Sequence, residues 1–174
     1  MRTMKSGKNL LLGLGSLIFA LLLIGPRAQA NAKLPKAYQG TWYGYAYANR
    51  VNHVKTYYVI QLKITNNQLD YNFLKTTKPD LSGLVWQWGE RTRVTYSKNY
   101  RKHKQLGYHF DASAFNSLDV NKMQLSQVKV AGQNETRLKF WGGGGFPVSA
   151  FRQPINSSDW AWGDDYEDMI PTDE

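Results

Sequence analysis

The chain has 174 residues and no cysteine, with 42% hydrophobic, 14% aromatic and 20% charged residues. That profile excludes a disordered or collagen-like chain and suits one globular domain. The lack of cysteine removes disulfide frameworks, thiolate zinc sites and thiol nucleophiles together, leaving core packing to hold the fold.

The first 30 residues read as a secretory signal peptide. Arg2, Lys5 and Lys8 precede an apolar run from Leu10 to Ile24, which ends in Gly25, Pro26 and the small-residue motif Ala28-Gln29-Ala30. A run of 15 residues is short of the roughly 20 needed to span a bilayer, so the sequence predicts cleavage before Asn31 and no retained anchor. The remaining 144 residues carry 18 basic and 13 acidic side chains, unevenly distributed. No Lys or Arg follows Arg152, whereas Asp159, Asp164, Asp165, Glu167, Asp168, Asp173 and Glu174 all do. The body up to Arg152 is thus strongly basic. This implies either a face for an anionic partner or an acidic tail that folds back over it, set against an ordinary solvated surface.

From Thr41 onward the pattern is alternation over five to eight residues broken by turn residues, the signature of an antiparallel all-β protein. Thr41–Tyr47 opens it. Tyr58, Ile60, Leu62 and Ile64 then share one face, Asn66-Asn67 makes a turn, and Leu69, Tyr71 and Phe73 return. Leu84, Trp86 and Trp88 alternate toward Gly89-Glu90, read as a two-residue turn, and Val94 and Tyr96 follow with Arg91 and Arg93 outward. Leu106, Tyr108 and Phe110 continue the inner face. Met123 and Leu125 fall out of step with Val128 and Val130, which predicts a β-bulge near Ser126 or Gln127. Leu138 and Phe140, then the run from 147 to 152, complete eight or nine strands.

A meander of this length closes into an up-and-down barrel of about eight strands or splits into a β-sandwich, and removal of free edges favours the barrel over residues 31–152. Four glycines, Gly142 to Gly145, read as a loop or corner. Residues 153–174 form an acidic aromatic tail whose Trp160, Trp162, Tyr166, Met169 and Ile170 make docking on the body an open alternative.

The segment Tyr38-Gln39-Gly40-Thr41-Trp42-Tyr43 resembles the G-x-W opening of the first lipocalin strand. The resemblance implies a calycin-type barrel in which Trp42 packs across the closed base and Arg152 lies over its ring by a cation–ring contact, with Gly40 as the structural glycine. The basic, Tyr-rich body with its G-T-W start also resembles small secreted proteins of lactic acid bacteria.

In a barrel, Tyr58, Tyr71, Trp86, Trp88, Tyr96 and Tyr108 either line a pocket for a small apolar or aromatic ligand or fill the interior. The densest charge lies in Lys98, Arg101, Lys102 and Lys104, reinforced by Arg91 and Arg93. It suits anionic cell-wall polymer or a membrane surface, and an exported protein meets these before nucleic acid. His53, His103 and His109 lack metal-ligand spacing, no nucleophile elbow is present, and no carboxylate pair is singled out. The expectation is a secreted or loosely wall-associated, non-enzymatic binding protein without metal or cofactor, a lipocalin-like barrel that holds a small apolar or aromatic ligand or an extracellular surface component, with adhesion to anionic cell-wall polymer or a membrane surface through the basic loop as the alternative.

Overall fold

The computed structural model describes residues 32–111, 120–142 and 147–162. The predicted signal segment, Gly143 to Gly145 and the acidic residues from Asp164 onward lie outside them. Among the described residues, alternating β-branched and aromatic residues build nine strands: β1 (Gly40–Val51), β2 (Val54–Ile64), β3 (Gln68–Thr76), β4 (Val85–Arg93), β5 (Thr95–Arg101), β6 (Lys104–Asp111), β7 (Val120–Val130), β8 (Gln133–Gly142) and β9 (Val148–Ala150).

Three hairpins turn on two residues that both adopt positive φ, namely Asn52-His53, Lys102-His103 and Ala131-Gly132. This is the mirror-image turn whose twist matches paired strands. The β2–β3 connection instead closes on Thr65. Its amide donates to the Gln68 carbonyl at 2.9 Å, and its hydroxyl oxygen accepts from the Gln68 amide at 3.0 Å.

The strands form two antiparallel sheets, ordered β1-β2-β3-β4 and β5-β6-β7-β8-β9. They do not make a closed barrel, so the architecture corresponds to the sandwich alternative. Only Val94 separates β4 from β5, too little for a hairpin, so the chain bends from one sheet into the other at this buried residue. Its amide holds the corner by donating to Asn67 O at 3.1 Å. On the opposite side the sheets meet, among the described residues, in one bridge, Tyr43 to Phe151, with mutual hydrogen bonds of 2.7 and 2.8 Å. The three-residue β9 is too short to carry a longer seam.

Two local expectations are corrected. Gly89-Glu90 is not a turn, because β4 runs through it paired with β3, Gly89 opposite Asn72 and Glu90 opposite Tyr71. Nor is there a bulge at Ser126 or Gln127. The β7–β8 register is unbroken from Lys122 to Val130, which puts the half-buried Val128 and Val130 on the face opposite Met123 and Leu125. The β7 irregularity lies between Val120 and Lys122.

Between the sheets lies one core, including Trp42, Ile60, Leu62, Phe73, Met123, Leu138 and Phe140, all nearly inaccessible to solvent. Each such side chain contributes roughly 1.5–3 kcal/mol by leaving water. A smaller cluster, Tyr57, Val59, Leu74 and Leu81, sits on the outer face of the four-stranded sheet, with the β3–β4 loop folded over it.

Candidate functional site

The aromatic set expected to line a pocket is distributed differently by the structure. Tyr58, Tyr71, Tyr96 and Tyr108 are buried in the core, and Trp88 packs against Tyr71 and Phe73 with centroids 5.4 and 6.2 Å away. Tyr96 donates its hydroxyl to Thr65 O at 2.9 Å, and burial raises its pKa above the ordinary phenol value. The space bounded by Ile64, Leu69, Tyr96, Phe110, Met123 and Phe140 has no room for a water molecule. In this region the rings fill the interior.

Trp86 is not an inner residue at all: 59% of its surface is exposed. Register explains the misplacement. Phe73 pairs with Trp88 and the next residue, Leu74, pairs with Trp86, so Gln87 is an extra residue in β4. A one-residue bulge reverses the alternation, and two tryptophans two positions apart face opposite sides. Outside, the Trp86 indole donates to Asn72 Oδ1 at 3.3 Å.

At the base of the sandwich Trp42 is fully buried, and its indole donates to Tyr38 O at 2.8 Å. The Arg152 guanidinium carbon lies 3.6 Å from the Trp42 ring centroid. The same guanidinium donates to the carbonyls of Ala37, Gln39 and Thr41 at 2.7, 2.9 and 3.2 Å. Partial burial lowers its pKa, while three carbonyl acceptors and a ring face hold it charged in place. Gly40 sits at φ +100°, and a β-carbon there would approach Arg152 Nη1 to 3.0 Å.

The six basic residues are all exposed but do not form one patch. Arg91 is held by Asp70 through two parallel hydrogen bonds of 3.0 and 3.1 Å, and the Arg91 guanidinium pulls the Asp70 carboxyl below its ordinary pKa. It is the one ion pair among the described residues. Arg93 lies opposite Gln68 at the end of β4. Lys98, Arg101, Lys102 and Lys104 belong to the β5–β6 hairpin, where Arg101 and Lys104 face each other directly and Lys102 and His103 occupy left-handed backbone at φ +50° and +64°. Like charges opposite each other and non-glycine residues at positive φ each carry a local cost.

A further cation enters through the fold. An open cleft of about 450 Å3 is bounded by Pro35 and Tyr38 of the N-terminal segment and by Gln105, Tyr108, Gln124 and Leu125. Exposed Lys36 follows Pro35 in the chain and exposed Lys104 precedes Gln105, so both segments that line the cleft carry a lysine next to it in sequence. No sequence pattern links Pro35 and Tyr38 to Gln105 and Tyr108, which the fold brings to one cleft.

Among the described residues no group of three or more His, Asp and Glu gathers in metal-binding geometry, and no helix is long and apolar enough to cross a membrane. No protein-family model, no curated protein and no solved structure matches the chain.

Proposed function

We propose that this chain is an exported, non-enzymatic binding module that attaches to anionic extracellular polymer through its β5–β6 hairpin and Lys36. The observation that carries the reading is local conflict: the tip concentrates cross-strand like charges and left-handed non-glycine residues, with no compensating carboxylate paired to them among the described residues. A sequence violates its own folding preferences mainly where function requires it. The open cleft lined by Pro35, Tyr38, Gln105, Tyr108, Gln124 and Leu125 gives an extended polymer a surface to follow, and exposed Lys36 and Lys104 adjoin its lining residues in sequence. Export rests on the N-terminal signal pattern.

A lipocalin-like relationship draws support from the G-T-W-Y opening together with Arg152 stacked on Trp42. The carrier role that goes with it finds less support in an interior filled by its own rings. The deciding experiment compares the protein with a Lys98→Gln, Arg101→Gln, Lys102→Gln, Lys104→Gln variant on immobilised poly(glycerol phosphate) and on a neutral polysaccharide. Affinity for the phosphate polymer is expected to fall by roughly tenfold or more in the variant, and steeply with salt in the wild type. Equal binding to the neutral polymer, or binding insensitive to salt, overturns the reading.

A further inference from the structure

Five large hydrophobic residues are conspicuously exposed among the described ones, and four of them, Val51, Val54, Val85 and Trp86, belong to one end of the four-stranded sheet. Val51 and Val54 face each other at the β1–β2 hairpin tip, flanked by the directly opposed Arg50 and Lys55. Val85 starts β4 opposite Lys75, and Val51 and Val85 together wall a cavity of about 260 Å3 with Lys75 and Lys78 on its border. The exposed carboxylate Asp80 on the same loop accepts from the Ser82 amide at 2.9 Å and feels the Lys78 charge, so it offsets part of the positive charge at this end. Three exposed valines and Trp86 thus share this end of the sheet with four cations on the same strands and the β3–β4 loop, an apolar end with basic residues beside it.

We propose that this end docks on the surface of an anionic lipid bilayer, with Val51, Val54, Val85 and Trp86 in the headgroup–acyl boundary and Arg50, Lys55, Lys75 and Lys78 on lipid phosphates. The charge fits, because basic residues beside an inserted apolar face are drawn to anionic leaflets. Trp86 has the amphipathic ring that settles at such interfaces. Size argues against an enclosed soluble ligand: the cavity falls below the roughly 300–1,000 Å3 that encloses a small molecule, so it receives one end of a lipid and leaves the rest in the membrane. The site is separate from the β5–β6 hairpin. The N-terminal segment beside that hairpin is anchored at the other end of β2, where the Leu34 amide donates to Asn66 Oδ1 at 3.1 Å.

The test is cosedimentation of the full protein with vesicles of phosphatidylglycerol and phosphatidylcholine, and with pure phosphatidylcholine. Wild type is expected to pellet with the anionic vesicles, with Trp emission shifted to the blue. Replacing Val54 and Val85 by Glu should reduce partitioning by roughly tenfold or more. A Lys75→Gln, Lys78→Gln variant should lose roughly fivefold per lysine. The quadruple Gln variant of the β5–β6 hairpin should pellet like wild type, which keeps this inference separable from the polymer reading. Loss of pelleting in that variant, equal pelleting with pure phosphatidylcholine, saturable binding of soluble octanoate without vesicle binding, or a dimer that shields Trp86 from quencher each overturns the proposal.

Discussion

The Trp162 indole nitrogen occupies the space that a β-carbon on Gly44 would need. This places Trp162 in the seam between the two sheets. Its backbone amide donates to Tyr45 O on β1 at 2.9 Å, and its indole donates to Ser149 O on β9 at 2.8 Å. One residue thus extends the join that the Tyr43–Phe151 bridge begins, and Gly44 leaves the room for it.

Two substitutions far apart in the chain should therefore act as one. Trp162→Ala is expected to cost about 3–5 kcal/mol, the usual range for a buried aromatic. Gly44→Ala should cost a similar amount by expelling the same ring. If the contact is shared, the double variant is no worse than the worse single one. Additive losses in urea denaturation would show that the two residues act separately.

The same contact fixes how the acidic tail must be tested. A cut before Ser157 removes Trp160, which packs on Phe151 at 5.6 Å and under Arg137 at 5.5 Å, as well as Trp162. Such a protein should lose stability whatever the tail does. A stop after Trp162 removes Asp164, Asp165, Glu167, Asp168, Asp173 and Glu174 while keeping the seam. If those charges mask the basic hairpin, this shorter chain binds phosphate polymer more tightly at low salt, with an unchanged melting temperature. Unchanged affinity removes the masking idea.

Much of the fold was legible because alternation reports directly on which face is buried: Ile60, Leu62, Phe73, Tyr108 and Phe140 were placed inward and lie in the core. The errors have separate physical sources. A single extra residue, Gln87, inverts the alternation, so Trp86 read as interior when it is exterior. A bent strand at Val94 looked like a hairpin at Gly89 because glycine marks turns and also marks places where another group lies close. Here Asn72 Oδ1 occupies the space a Gly89 side chain would take. The exposed apolar tip was invisible because Val51 and Val54 are good strand formers, and their exposure depends on where the partner sheet stops.

Arg152 should resist conservative replacement. Its planar fork reaches three carbonyls while its face lies on Trp42, and an ammonium satisfies at most part of that geometry. Arg152→Met is expected to cost about 1–3 kcal/mol, and Arg152→Lys to recover less than half of it. Thermal unfolding of the two variants decides this. Full recovery by Lys would mean that only the charge matters.

The strained tip offers a gain of stability. Replacing Lys102-His103 by Asn-Gly installs the pair that a turn with two positive φ angles prefers. A gain of about 1 kcal/mol, or roughly 2–4 °C in melting temperature, is expected, together with weaker phosphate-polymer binding from the lost lysine. A variant that is both less stable and fully active would contradict the view that this turn trades stability for binding.

His109 provides a pH signature. It is half-buried on β6, opposite Ser97 on β5 and Lys122 on β7, and burial, followed by the Lys122 charge, pushes its pKa below the ordinary value of 6.5. In the unfolded chain the ring returns to about 6.5, so on acidification the unfolded state takes up a proton before the folded state does. The stabilising contribution of neutral His109 is therefore complete above pH 6.5 and is lost as pH falls through that value toward the lower folded-state pKa. The Asp70 carboxyl, depressed below 3.8 by Arg91, adds its own loss only in more acidic solution. Urea midpoints measured from about pH 7.5 to 5 should fall for the wild type and fall less for His109→Gln, while Lys122→Gln should leave the onset in place and reduce the size of the loss by relieving the neighbouring charge. Parallel curves for wild type and His109→Gln would place the pH dependence in some other group.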